Sequence, residues 1–295
     1  MLPRFLFKPK SQLQLHTAET CLPGASLPVE VSVCLQEQLK PREVRLELVG
    51  QETYYVQETH YGPKGQVQTR TVRKVNAFAK VTHVVLEQPS LTPGVEASRE
   101  VSLQVPFDAP PSCQGEVVDV RWTLKAILDA PGRRDQVQEV PLQVLRAAPA
   151  EVDPGKEGKA WLPVEKSFED CALTIEVPAV LGARGTVSGR LLLKTNRPFQ
   201  ARGIRAELVR LEDAGARRSE EVLVHQNLSG PISLNPYEAP SFAFSLPLPQ
   251  VVAPTMASPH SSLRWQVRAV LDRRLRTDFS IWQDVFIHNA PEPSR

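Results

Sequence analysis

Six basic side chains in two clusters are the groups in this 295-residue chain best suited to hold a partner. Arg4, Lys8 and Lys10 crowd the N-terminal arm, and Arg70, Arg73 and Lys74 lie near Tyr54, Tyr55 and Tyr61. The first cluster offers charge-assisted donors to phosphate, and the second could belong to a recognition loop. The same residues would also serve as a solvated arm and as charges that keep a strand edge soluble. Carboxylates recur in pairs, Asp129 with Asp135 and Asp272 with Asp278, each spaced by six. Paired carboxylates can move protons or hold a hard cation. These pairs, however, flank the turns Ala130-Pro131-Gly132-Arg133-Arg134 and Arg273-Arg274-Leu275-Arg276, which favours turn capping and salt bridging. The six histidines are scattered, with no metal-ligand spacing, and no nucleophile elbow, phosphate loop or dinucleotide fingerprint appears. Cys21, Cys34, Cys113 and Cys171 form no C-x-x-C pair and sit at non-equivalent places in the two halves. Reduced, partly buried thiols are therefore expected, with no catalytic residue, metal or cofactor.

The elements that position these residues are legible because the chain repeats itself. Arg121-Trp122-Thr123-Leu124-Lys125-Ala126-Ile127-Leu128-Asp129 returns as Arg264-Trp265-Gln266-Val267-Arg268-Ala269-Val270-Leu271-Asp272, at a constant offset of 143 (264 minus 121). Ala25 to Val49 lies on Gly185 to Val209 without a gap at an offset of 160, and Val101–Pro106 on Phe242–Pro247 at 141. The change of offset assigns 19 extra residues to the first half, between about Gly50 and Ser98. Each block has period two. Leu27, Val29, Val31 and Val33 share one face, as do Val44, Leu46 and Leu48, or Trp122, Leu124, Ala126 and Leu128. Side chains alternate across a strand, so these runs each have one buried and one wet face. That pattern predicts an all-β protein of two tandem antiparallel, immunoglobulin-like β-sandwiches. The expected limits are 1–147 and 161–295, with a Pro/Gly and charge-rich linker over 148–160. One short helix has room in the insertion or near Val164–Cys171. Trp122 and Trp265, equivalent and on apolar faces, read as core anchors in preference to ligand-stacking rings.

Composition narrows the function. Thirty-five Lys and Arg against 33 Asp and Glu leave +2, which argues against nucleic acid as a partner. No apolar run reaches the roughly 18 residues of a membrane span. The N-terminus MLPRFLFKPK has no apolar core of the length of a secretion signal, so a cytoplasmic protein is expected.

The segment Pro110-Pro111-Ser112-Cys113-Gln114-Gly115, followed by the Arg121–Asp129 strand, resembles the arrestin family, in particular its α-arrestin-like and bacterial sporulation-control-like members. Val44-Arg45-Leu46-Glu47-Leu48-Val49-Gly50 looks like that family's N-domain strand ending in glycine. The resemblance implies two β-sandwiches and a non-enzymatic adaptor. Its protein partners would bind across sheet surfaces, strand edges or an interdomain groove, with membrane association only through a partner. Departures are visible. No Pro-Pro-x-Tyr motif occurs, no long acidic tail ends the chain, and the loop Val251–Ser262 contains no Asp or Glu, so a phosphate-triggered polar core is not expected. The competing readings are an exported surface- or carbohydrate-binding module and, third, an enzyme without a recognisable motif. The insertion stands open between a recognition loop and an elongated hairpin.

Overall fold

A computed structural model describes residues 11–61, 63, 66–132, 134–149 and 163–291. In chain order the first half forms β1 (Ser11–Thr17), β2 (Thr20–Cys21), β3 (Ser26–Leu35), β4 (Glu43–Tyr61), β5 (Val67–Glu87), β6 (Glu96–Gln104), β7 (Cys113–Gln114), β8 (Asp119–Asp129) and β9 (Gln136–Val144). The second forms β10 (Val164–Ser167), β11 (Cys171–Glu176), β12 (Val180–Gly182), β13 (Thr186–Thr195), β14 (Phe199–Ala201), β15 (Gly203–Ala214), β16 (Arg217–Ser229), β17 (Ile232–Leu234), β18 (Ser241–Pro247), β19 (Met256–Ala257), β20 (Ser262–Asp272) and β21 (Phe279–His288). No helix occurs among the described residues. The room left for one near Val164–Cys171 is taken by β10 and β11, whose antiparallel pairing satisfies the backbone groups a helix would otherwise bond internally.

The sheets carry the repeat. The order β2-β9-β8-β4-β5 in the first half matches β12-β21-β20-β15-β16 in the second, strand for strand. Their first pairs, β2 with β9 and β12 with β21, are parallel, while the pairings of β8 with β9 and of β20 with β15 and β21 are antiparallel. The opposing layers are β1-β3-β6 and β10-β11-β13-β18. Each half is thus a β-sandwich. The period-two faces are the buried ones: Leu27, Val29, Val31 and Val33 are at most 2% exposed, and Trp122 and Trp265 each 1%.

Equivalent positions make equivalent bonds. Trp122 Nε1 donates to Pro110 O at 2.8 Å, and Trp265 Nε1 to Ala253 O at 3.0 Å. Ser112 Oγ accepts from Val144 N at 3.0 Å, and Thr255 Oγ1 from Ile287 N at 2.8 Å. Arg42 pairs with Asp129 at 3.4 Å and Arg202 with Asp272 at 2.6 Å, while Asp278 Oδ1 accepts from Arg273 N at 3.1 Å. The recurrent carboxylates therefore close turns and tie strand ends. Buried indole N–H groups need an acceptor, and each copy supplies it from the turn before the Trp strand.

Two compact units result, and their limits do not follow the chain's midpoint. One draws its described residues from Met1–Glu52, Val75–Ser112 and Val120–Leu145; the other from Thr53–Lys74, Cys113–Asp119 and Arg146–Arg295. Of the expected linker only residues 148 and 149 are described. The first unit's core gathers β1, β3, β4, β8 and β9 around Trp122, whose indole meets the Phe78 edge at 5.3 Å. Gly50 makes that contact possible, since an added Cβ would fall 2.6 Å from Phe78 Cε2 and 2.9 Å from Trp122 Cη2.

Most of the first half's extra length is carried by two strands. β4 and β5 run for 19 and 21 residues, against 12 and 13 for β15 and β16. Of the two forms left open for the insertion, the elongated hairpin is the one adopted.

Candidate interaction site

The outer part of this hairpin, Thr53–Lys74, belongs to the second unit and is anchored there by its two adjacent tyrosines. The Tyr54 ring stacks on His260, with centroids 4.3 Å apart and planes at 17°. Tyr55 O accepts a hydrogen bond from Ala216 N at 2.8 Å, and its ring lies 4.7 Å from the Arg217 guanidinium. Neighbouring side chains on a strand point to opposite faces, so the pair grips two sides at once. Gly215, in the turn between β15 and β16, is required twice. Its φ of +73° is left-handed, and a Cβ there would fall 2.5 Å from Tyr55 O.

Beyond this anchor the arm is basic. Between Thr53 and Lys74 the sequence holds Lys64, Arg70, Arg73 and Lys74 against the single acid Glu58. Lys74 Nζ lies 2.7 Å and Arg70 Nη2 3.4 Å from the Glu58 carboxylate, with His60 Nε2 at 3.7 Å. The Lys74 hydrogen bond, its charge and the Arg70 guanidinium hold the Glu58 carboxyl below the usual carboxylate range. Arg73 points to the other face, where Nη2 donates to Thr53 Oγ1 at 3.0 Å. Two of the three basic residues are thus brought together and the third is not. Arg4, Lys8 and Lys10 lie outside the described residues. Tyr61 and Val67, at the outer end, are 80% and 60% exposed.

A second arrangement in the same unit is an anion cradle filled by the chain itself. The Glu212 carboxylate, on β15, accepts from three consecutive backbone N–H groups: Glu116 at 3.0 Å, Val117 at 2.8 Å and Val118 at 3.0 Å. Arg210 Nε adds a fourth donor at 2.8 Å, and the Glu212 side chain has no exposed surface. Successive N–H groups converging on one point form an anion-binding concavity. Gly115 leaves the room, because a Cβ there would lie 2.5 Å from Glu212 Cδ. Burial, aided by the Glu212 charge, pushes the nearby Cys113 thiol up to about 12. A cavity of about 440 Å³ adjoins, lined by Glu212, Asp213, Arg218, Ser219, Glu220 and Arg264 among others.

Glu58, Arg217 and His260 have no motif or spacing that ties them to the basic residues, because strand pairing and loop packing alone bring them close. Glu212 did leave a signal. The offset of 160 places it on Glu52, another glutamate, which is 1% exposed and accepts from Asn76 Nδ2 at 3.0 Å.

With this geometry in view, comparison with known proteins finds that residues 10–148 match the family model described as arrestin (or S-antigen), C-terminal domain. An arrestin-family domain makes up the first half of the chain. Both stretches that resemble arrestins, Val44–Gly50 and Pro110–Asp129, fall inside the match. The matched model is that of the family's C-terminal domain, although Val44–Gly50 looks like an N-domain strand. No curated protein matches the chain. Among the described residues no helix is long and apolar enough to cross a membrane.

Proposed function

We propose that this arrestin-like chain is a non-enzymatic adaptor that works in the cytoplasm and binds other proteins through the Thr53–Lys74 arm. An adaptor or scaffold role is what arrestin membership suggests in general. The observation supporting the arm is that it is the unduplicated part of a duplicated scaffold. Conserving bonds between the two copies explains the sandwiches, but not a hairpin lengthened on one side only. Recognition surfaces are commonly loops or extensions held on a rigid frame, and Tyr54 and Tyr55 supply that hold. The reducing compartment is supported by four unpaired cysteines, three of them buried.

A photo-crosslinking residue placed at Arg70 tests the arm directly, with the same residue at Val251, an exposed loop position, as the control. Adducts to a reproducible protein set from position 70 and none from 251 are expected. Equal labelling from both, or none from 70, would remove the arm from the function.

A further inference from the structure

We infer that the partner segment is acidic and extended, and adds as a strand to the open edge of β5 along Val67–Lys74; this rests on the arm being the protein-binding element. β5 ends the order β2-β9-β8-β4-β5, so no strand pairs with its outer side among the described residues. Not one of its 21 residues is buried. An open edge of this length is a template for main-chain pairing, in which backbone bonds hold the partner and side chains select it.

Charge decides which partner. The corresponding strand β16 also ends its sheet, but it opens Arg217-Arg218-Ser219-Glu220-Glu221, with both signs present. β5 carries Arg70, Arg73, Lys74 and Lys80 and no acid before Glu87. A second copy of the chain pairing edge to edge would set these cations against one another, which destabilises a cross-strand pair. An acidic strand meets the opposite sign at the same positions. Glu58 answers Arg70 and Lys74 with a single carboxylate, so that face keeps an unneutralised positive charge that an incoming acid can take up. Arg73 projects from the opposite face, and successive side chains of a partner strand also alternate. A run of adjacent carboxylates, which reaches both faces, fits better than acids at every second position.

The test uses the full-length chain and fluorescent ten-residue probes, followed by anisotropy. One is built of Glu-Glu-Val repeats, one of Lys-Lys-Val repeats, and two more are Glu-Glu-Val probes N-methylated on alternate residues in either register. The acidic probe is expected to bind and the basic one not to. One N-methylated form should bind more than about tenfold more weakly, since it lacks the donors that face β5. The triple variant R70Q/R73Q/K74Q should lose about tenfold, because each exposed charge contributes little alone. Equal binding of the acidic and basic probes, indifference to both N-methylation registers, or no binding of the acidic probe would overturn the inference. The crosslinks from position 70 are read separately, so an arm that captures proteins without preferring acidic strands remains a distinguishable result.

Discussion

Replacing Glu212 by glutamine puts the cradle to a quantitative test. The substitution keeps the shape of the side chain and removes its charge. Three backbone N–H donors within 3.0 Å and Arg210 Nε at 2.8 Å now share one carboxylate with no exposed surface. Hydrogen bonds to a charged group contribute roughly 1.5–3 kcal/mol each, against about 1 kcal/mol for neutral ones. Glutamine keeps one acceptor oxygen and turns an NH2 group toward donors that need an acceptor. Arg210 retains Glu221 at 2.7 Å, which limits the loss on its side. The expected net cost is about 3 kcal/mol, at the lower end of the range for breaking a buried pair. At 1.4 kcal/mol per tenfold, local opening of Cys113–Asp119 becomes about a hundredfold more frequent. Amide hydrogen exchange reads this out at Glu116, Val117 and Val118, with β20 as the internal reference. Faster exchange confined to 113–119 is expected. Unchanged protection there, with thermal stability also unchanged, would refute the assignment of Glu212 as the holder of that segment.

Other outcomes follow from the same geometry. Gly115→Ala should reproduce the exchange phenotype of Glu212→Gln, because its Cβ would fall 2.5 Å from Glu212 Cδ; a silent substitution would contradict the cradle. Gly50→Ala should destabilise the first unit by about 1–3 kcal/mol through overpacking against Phe78 and Trp122, seen as a lower midpoint in urea unfolding followed by Trp fluorescence. Toward an aromatic disulfide reagent at pH 8, Cys34 should react first. Burial pushes Cys21 to about 11, Cys113 to about 12 and Cys171 to about 11, so their thiolates become available only on unfolding. Burial works to raise the carboxyl of Glu47, but hydrogen bonds from Lys80 and Arg45 outweigh it and leave the group below its usual range. Its stabilising contribution is then full above the unfolded carboxylate pKa of about 4.3 and disappears as pH falls through the lower folded value. Lys80→Met should flatten that acid limb of stability, measured as melting temperature between about pH 5 and 2.

Which stretches are strands and which residues form the core were legible because a strand's two faces differ in sequence, whereas the order of strands within each sheet was not. Trp122, Leu124, Ala126 and Leu128 could be assigned to the interior from alternation alone, and their equivalents in the second half confirmed the register. The turn and salt-bridge role of the acid pairs was legible from the turns they flank, but their partners were not, since Arg42 lies 87 positions from Asp129 and Arg202 lies 70 from Asp272. The candidate sites were less legible. Arg70, Arg73 and Lys74 stood out as a cluster, but the separation of Arg73 from the other two depends on strand parity at a place where apolar alternation is weak. Glu212 carries its meaning through residues some 95 positions away, and no local pattern in a chain marks which backbone N–H groups will converge.

The sequence by itself determined that the protein is a duplicated β-scaffold with one half lengthened, since period-two burial and fixed offsets are properties of the string. Only the tertiary structure decided what the lengthening is: a long strand pair, gripped by Tyr54 and Tyr55, with an open basic edge. The reason is that burial of apolar faces is written locally, residue by residue. Anchoring and edge exposure depend on which distant backbone arrives alongside, and folding settles that by satisfying groups such as Tyr55 O and the Glu212 carboxylate together.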